Sequence, residues 1–176
     1  MKKILLIILI GLLTISCQNQ SDRVENDLYG CLMDSLTDSE KEKTGTILSD
    51  FEQHLIDKGI LESSKPKSYW NLYNEMATTE VYDFSNDFNL SEKLSFLDRQ
   101  NPSENQGFLD CQNRIFQSEK YLKSKLYKFT EELQSLKNHK ITPVIIAKTT
   151  IKYLTVEDFE LDYNRFGALM FIESLN

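Results

Sequence analysis

The sequence predicts an all-α domain, an irregular bundle of five or six helices, and three observations lead there. The first is an apolar stripe between Gly107 and about His139. Phe108, Cys111, Ile115, Leu122, Leu126, Phe129, Leu133 and Leu136 are spaced by threes, fours and one seven, the period of a half-buried helix. The second is the punctuation of helix ends: Thr37 and Glu40 at capping-box spacing, Gly59 as a stop, Pro66 and Pro143 as first-turn residues. The third is composition. Forty per cent hydrophobic and 27% charged residues can build and solvate a core, while six glycines and three prolines in 176 residues leave little for a loop-dominated chain. No repeat of fixed period interrupts the pattern.

Taken in order, the first helix follows the Thr37 cap, with Leu48, Phe51 and Leu55 on its apolar face and His54 and Ile56 beside it, and Gly59 ends it. A second runs from Pro66 through Ala77, where Tyr69, Leu72, Tyr73 and Met76 share a side bordered by Trp70. Residues 78–89 alternate partly between apolar and polar but are broken by turn formers, so a short strand or an aromatic-pinned loop both fit. Asn89 to Glu92 offers a cap leading into Leu94 and Leu97, and Asn101-Pro102 ends that run. The stripe at 107–139 reads as one long helix, its other faces carrying Lys120, Lys123, Lys125 and Lys128 among glutamates. Thr142-Pro143 starts the next. Its residues 143–153 are rich in β-branched side chains, so a small β element is the competing reading there. Thr155 caps a final segment in which Val156, Phe159, Tyr163, Phe166 and Met170 trace one face.

Ahead of this domain stands a different kind of sequence. Lys2 and Lys3 precede a greasy stretch, Ile4–Ile15, and Thr14-Ile15-Ser16 lead to Cys17. These twelve residues would span about 18 Å as a helix, short of the roughly 30 Å hydrocarbon core of a bilayer. A secretory signal peptide is therefore expected over residues 1–16. Cys17 behind a small serine and before polar Gln18-Asn19-Gln20 resembles the lipobox of bacterial lipoproteins, although Thr14 stands where leucine is usual. The resemblance covers the leader alone. It implies that the Cys17 sulfur receives a diacylglycerol and becomes the new amino terminus, holding the protein to a membrane. An ordinary secretory leader with an incidental cysteine is the plainer alternative. Residues 17–30 then form the lipidated N-terminus and a polar tether, and residues 31–176 a single helical domain.

Export would place Cys31 and Cys111 where a disulfide persists, closing a segment of 80 residues; two buried thiols are the alternative. No close cysteine pair suggests a metal or redox site. Charge narrows the function classes further. Twenty basic residues against 27 acidic ones make −7, and −9 without the leader lysines, which argues against nucleic acid as a partner. Nucleophile-elbow, zinc-protease and phosphate-loop signatures are absent from the sequence, so no catalytic residue, metal or cofactor is expected. His54 and His139 are the only histidines; a Cys31–His54 or Cys111–His54 dyad has no spacing to support it. Asp158, Glu160 and Asp162, and likewise Asp83, Ser85, Asp87 and Asn89, alternate as calcium ligands would but lack the glycine and glutamate of an EF-hand loop. The remaining candidate is aromatic: Tyr69, Trp70 and Tyr73, with Tyr82, Phe84 and Phe88, would line a glycan- or peptide-binding groove or else pack helix on loop.

The expectation is thus a cell-envelope lipoprotein, membrane-attached through Cys17, that binds or scaffolds an envelope partner without catalysis. Two alternatives stand beside it: a protective protein neutralising a basic toxin or hydrolase by electrostatic steering, and an envelope enzyme with an acidic or cysteine site.

Overall fold

The helix signals act where local chemistry is strongest, and the computed structural model, which describes residues 23–80, 84, 86–98, 102–136 and 141–175, is all-α. Among the described residues there are nine α-helices, two 3₁₀ turns and no strand. They run α1 (Val24–Asp34), α2 (Asp38–Asp57), α3 (Pro66–Thr79), α4 (Leu90–Lys93), a 3₁₀ turn (Ser95–Leu97), α5 (Pro102–Phe116), α6 (Glu119–Leu122), α7 (Lys125–Ser135), α8 (Pro143–Tyr153), a second 3₁₀ turn (Val156–Glu160) and α9 (Asp162–Glu173).

Thr37 and Glu40 do form a capping box: the Thr37 backbone N–H donates to the Glu40 carboxylate at 2.8 Å, and the Glu40 N–H donates to the Thr37 hydroxyl at 3.3 Å. At the other end of α2, Gly59 has φ +72°, the left-handed conformation that glycine adopts without a Cβ clash. The Ile60 N–H reaches the Leu55 carbonyl and the Gly59 N–H reaches the Ile56 carbonyl, each at 2.9 Å, which is the Schellman closure. Residues 143–153 are helix α8, not strand: the Thr142 hydroxyl accepts from the Ile145 N–H, and the helix buries Ala147, Thr149 and Thr150 against its neighbours. Tertiary burial outweighs the β preference of the side chains here. In the 78–89 stretch the described residues are the end of α3 and coil, while 81–83 and 85 lie outside the described residues.

Three sequence expectations need correction. The polar tether ends sooner than residue 30, because α1 starts at Val24 and buries Val24, Glu25 and Leu28 to within 2% exposure. The segment contains only two wholly apolar side chains, but they are a turn apart and both point inward. The long helix of 107–139 is three helices instead. Ser118 and Ser124 take extended backbone angles, and each hydroxyl accepts from the N–H three residues on, at 3.1 and 3.0 Å. The first break falls where the stripe skips from Ile115 to Leu122 and the second just after Leu122, which sits at the end of the short helix between them and is 49% exposed. Finally, the segment after Thr155 is a 3₁₀ turn followed by α9, separated at Leu161.

Two apolar clusters result. The larger unites α2, α3, α4, α8 and α9 around Phe51, Leu55, Tyr69, Met76, Phe159 and Ile172, none more than 1% exposed. Tyr69, Tyr73 and Phe159 stack with centroids 5.8–6.0 Å apart. The smaller joins α1, α5, α6 and α7 through Val24, Leu28, Cys31, Ile115, Tyr121 and Leu126. Helix α3 packs along α8, α1 along α5, and α9 bridges to α1.

Candidate functional site

Between the two clusters the helices do not close fully, and a cavity of about 460 Å³ remains. Helix α1 contributes Leu28, Tyr29 and Leu32; α5 contributes Phe108 and Gln112; α7 contributes Leu126, Phe129 and Thr130; α8 contributes Ile146 and Thr150. Tyr73, Leu154 and Phe159 form the floor from the larger cluster, and α9 supplies Tyr163, Asn164, Phe166, Gly167 and Phe171 among others. Its volume lies within the range of small-molecule sites, which are mostly apolar with a few placed polar groups. Hydroxyls and two carboxamides provide all the side-chain polarity, for none of the lining residues is Asp, Glu, Lys, Arg or His. Burial pushes the Tyr163 and Tyr29 hydroxyls above their ordinary range, so both remain protonated donors at neutral pH. The Asn164 amide is committed, donating to the Asp158 carbonyl at 2.8 Å.

Next to the lining residues Leu126 and Phe159 lies an ion network with two buried carboxylates. Arg23 donates to Glu25 at 2.8 Å and to Asp158 at 2.7 Å, while the Lys125 ammonium donates to Asp158 at 2.9 Å. Both carboxylates are 1% exposed. Burial alone would raise the Asp158 carboxyl; the Thr155 backbone N–H, Lys125 and Arg23 outweigh it and hold the group below the ordinary carboxylate range. Glu25 lies in a polar stretch and is paired with Arg23 only two residues away; its burial comes from the packing of α1, which that local sequence does not reveal.

A second ion pair, part-buried, lies against the larger cluster. Arg165 donates to Glu52 at 2.7 Å, and the Tyr69 hydroxyl donates to the same carboxylate. Burial, then the carboxylate, raises the Tyr69 hydroxyl well above its ordinary range.

The residues singled out from sequence are distributed as follows. Cys17 lies outside the described residues. Cys31 and Cys111 are joined by a disulfide, Cα atoms 5.8 Å apart, tying α1 to α5. Neither sulfur is therefore a thiolate for His54, whose Nε2 lies 3.2 Å from Asp87. Tyr69, Trp70 and Tyr73 do not form a shared groove: Tyr69 and Tyr73 are buried, and the Trp70 indole N–H donates to the Leu154 carbonyl at 3.3 Å. Helical spacing turns the two tyrosines into the core, and only Tyr73 reaches the cavity. Asp158 faces cations and a cap, while Asp162 opens α9 and Glu160 closes the turn before it. His139, Tyr82, Asp83 and Ser85 lie outside the described residues. Among the described residues no group of three or more His, Cys, Asp or Glu side chains is arranged to hold a metal ion. No described helix is long and apolar enough to cross a membrane.

The cavity was not legible beforehand because it is a packing defect between six helices, α1, α3, α5, α7, α8 and α9, from separate parts of the chain. Its one sequence trace is the surplus of apolar side chains at Phe166–Ile172, which extend round more of α9 than a single core face needs. Comparison with known protein families, with curated proteins and with solved structures gives no match for this chain.

Proposed function

We propose that this protein is a membrane-attached cell-envelope lipoprotein whose helical domain works by binding, holding an uncharged, largely apolar small molecule between α1, α5, α7, α8 and α9. The cavity of about 460 Å³ carries the reading. Its aromatic and aliphatic lining favours apolar surface, and the lack of any charged lining residue would leave a ligand's charge unpaired in a desolvated space. Tyrosine and threonine hydroxyls suit a ligand with a carbonyl, ether or hydroxyl group. Location rests on the leader ending in Cys17, and the Cys31–Cys111 disulfide is of the kind that endures in oxidising compartments outside the cytosol.

The test uses the neutral fluorescent probe N-phenyl-1-naphthylamine and a substitution that fills the space. Gly167 lies in the interior of α9 and lines the cavity, and a Cβ there would meet no atom within 4 Å. Replacing a helix-interior glycine also raises helix propensity by about 0.5–1 kcal/mol, so Gly167→Leu should fold at least as well. The expected result is micromolar probe binding by the parent protein and at least tenfold weaker binding by Gly167→Leu. Equal binding by both, or none by the parent, would remove the cavity as a site.

A further inference from the structure

We infer that the corner formed by the end of α5, α6 and the start of α7 is a membrane-contact surface that lies on anionic lipid headgroups. The inference rests on the anchored reading given above.

Five residues, Gln18–Asp22, separate Cys17 from Arg23. Six Cα–Cα steps reach at most about 20–22 Å when fully extended. An anchor at Cys17 thus confines the face of the domain next to Arg23 to the neighbourhood of the bilayer. What borders Arg23 is this corner. Lys125 shares the Asp158 carboxylate with Arg23, and Lys120 reaches Asp27, near the start of α1, at 2.6 Å.

The corner has the composition of an interfacial surface. Phe116 is 38% and Leu122 49% exposed, two of only four large hydrophobic side chains so exposed among the described residues. Phe116 leans on the buried Tyr121 with centroids 5.0 Å apart, and Tyr121 on Tyr127 at 5.6 Å, so a chain of rings ties the end of α5 to the start of α7 beneath the exposed Phe116 and Leu122. Around it Arg114, Lys120, Lys123, Lys125 and Lys128 stand against one acid, Glu119, within residues 114–128, in a chain with seven more acids than bases overall. Lys120 pairs with Asp27, Lys123 with Glu119 and Lys125 with Asp158, so the surplus positive charge of the corner rests on Arg114 and Lys128. Lysine stems can lie along the apolar patch while their ammonium groups meet phosphates. A basic patch beside a lipid anchor is drawn to an anionic leaflet and so sets which face of the domain rests on it.

The experiment uses the full-length protein, purified from membranes and reconstituted into phosphatidylglycerol vesicles whose acyl chains are brominated near the headgroup. Two variants report position: Leu122→Trp on the corner and Ile141→Trp, an exposed site (40%) beyond the far end of α7. The parent's emission, due to Trp70, is subtracted. The expected result is at least twofold quenching of the added fluorescence for Leu122→Trp and no change for Ile141→Trp. Combining Leu122→Trp with Lys123→Glu and Lys128→Glu should at least halve that quenching. Equal quenching at both positions, no quenching at Leu122→Trp, or indifference to the two lysines would each overturn the assignment. Mass spectrometry at Cys17 separates the layers of the argument. A bare sulfur overturns anchoring and this surface together, whereas a lipidated, vesicle-bound protein with unquenched Leu122→Trp overturns the surface alone.

Discussion

The two apolar clusters are built on different physics. The larger is a dense aromatic and aliphatic core in which Phe51, Tyr69, Met76 and Phe159 are no more than 1% exposed, and its coherence comes from buried area and close packing. The smaller has six buried apolar residues, and what holds it is largely specific: the Cys31–Cys111 bond, and the Arg23–Asp158–Lys125 network joining α1 and α7 to the 3₁₀ turn before α9. A small core that cannot bury much surface gains from cross-links. The cavity sits where the two meet, with one wall from each. The difference therefore suggests a rigid floor and a wall whose position is set by covalent and ionic ties.

The sharpest way to break this contrast is in the floor. Phe159→Ala should destabilise the whole domain by about 3–5 kcal/mol, because a buried ring is removed from a packed stack. Urea unfolding followed by circular dichroism checks it; a loss within that range but confined to α1 and α5 would invert the contrast. Next comes the staple. Replacing Cys31 and Cys111 together by serine should cost about 2–4 kcal/mol. Amide exchange should quicken in α1 and α5 while α3 and α8 stay protected, and N-phenyl-1-naphthylamine binding should weaken. Equal acceleration everywhere would mean that the two clusters open as one unit.

The smallest effect concerns the ion network. Asp158→Asn should cost about 1–2 kcal/mol at neutral pH, since the cations that lose the carboxylate, Arg23 and Lys125, are themselves 26% and 47% exposed and water takes up part of their charge. The sign with pH follows from the depressed pKa of Asp158. Its contribution is complete above the unfolded carboxylate value of about 3.9 and is lost as pH falls through the lower folded value. Thermal unfolding of the parent should therefore fall toward that of Asp158→Asn as acid is added. Curves that stay parallel down to pH 2 would show that the network is held by something other than this ionised group.

Much of this fold was legible beforehand, unevenly so. Helix ends with a chemical signature, at Thr37, Gly59, Pro66 and Thr142, were read correctly, because a cap is made by residues within one turn of each other. The breaks at Ser118 and Ser124 were missed although serine is a capping residue, since the apolar period continues through them and favours one helix. The start of α1 was missed for the opposite reason: a charged, asparagine-containing stretch reads as solvated until its burial partners are in place. Of the candidate site, Tyr73 was named for the wrong setting, an aromatic groove, and the cavity itself was not seen.

By itself, the order of residues determined the helical class, most helix boundaries and the pairing options of two cysteines, because these depend on hydrogen bonds and periods a few residues long. Only the tertiary structure decided that Cys31 and Cys111 meet, which charges are buried, and that space is left between two cores. Those outcomes depend on side chains far apart in the chain, 80 residues for Cys31 and Cys111 and 135 for Arg23 and Asp158, whose interactions exist only after the helices have packed.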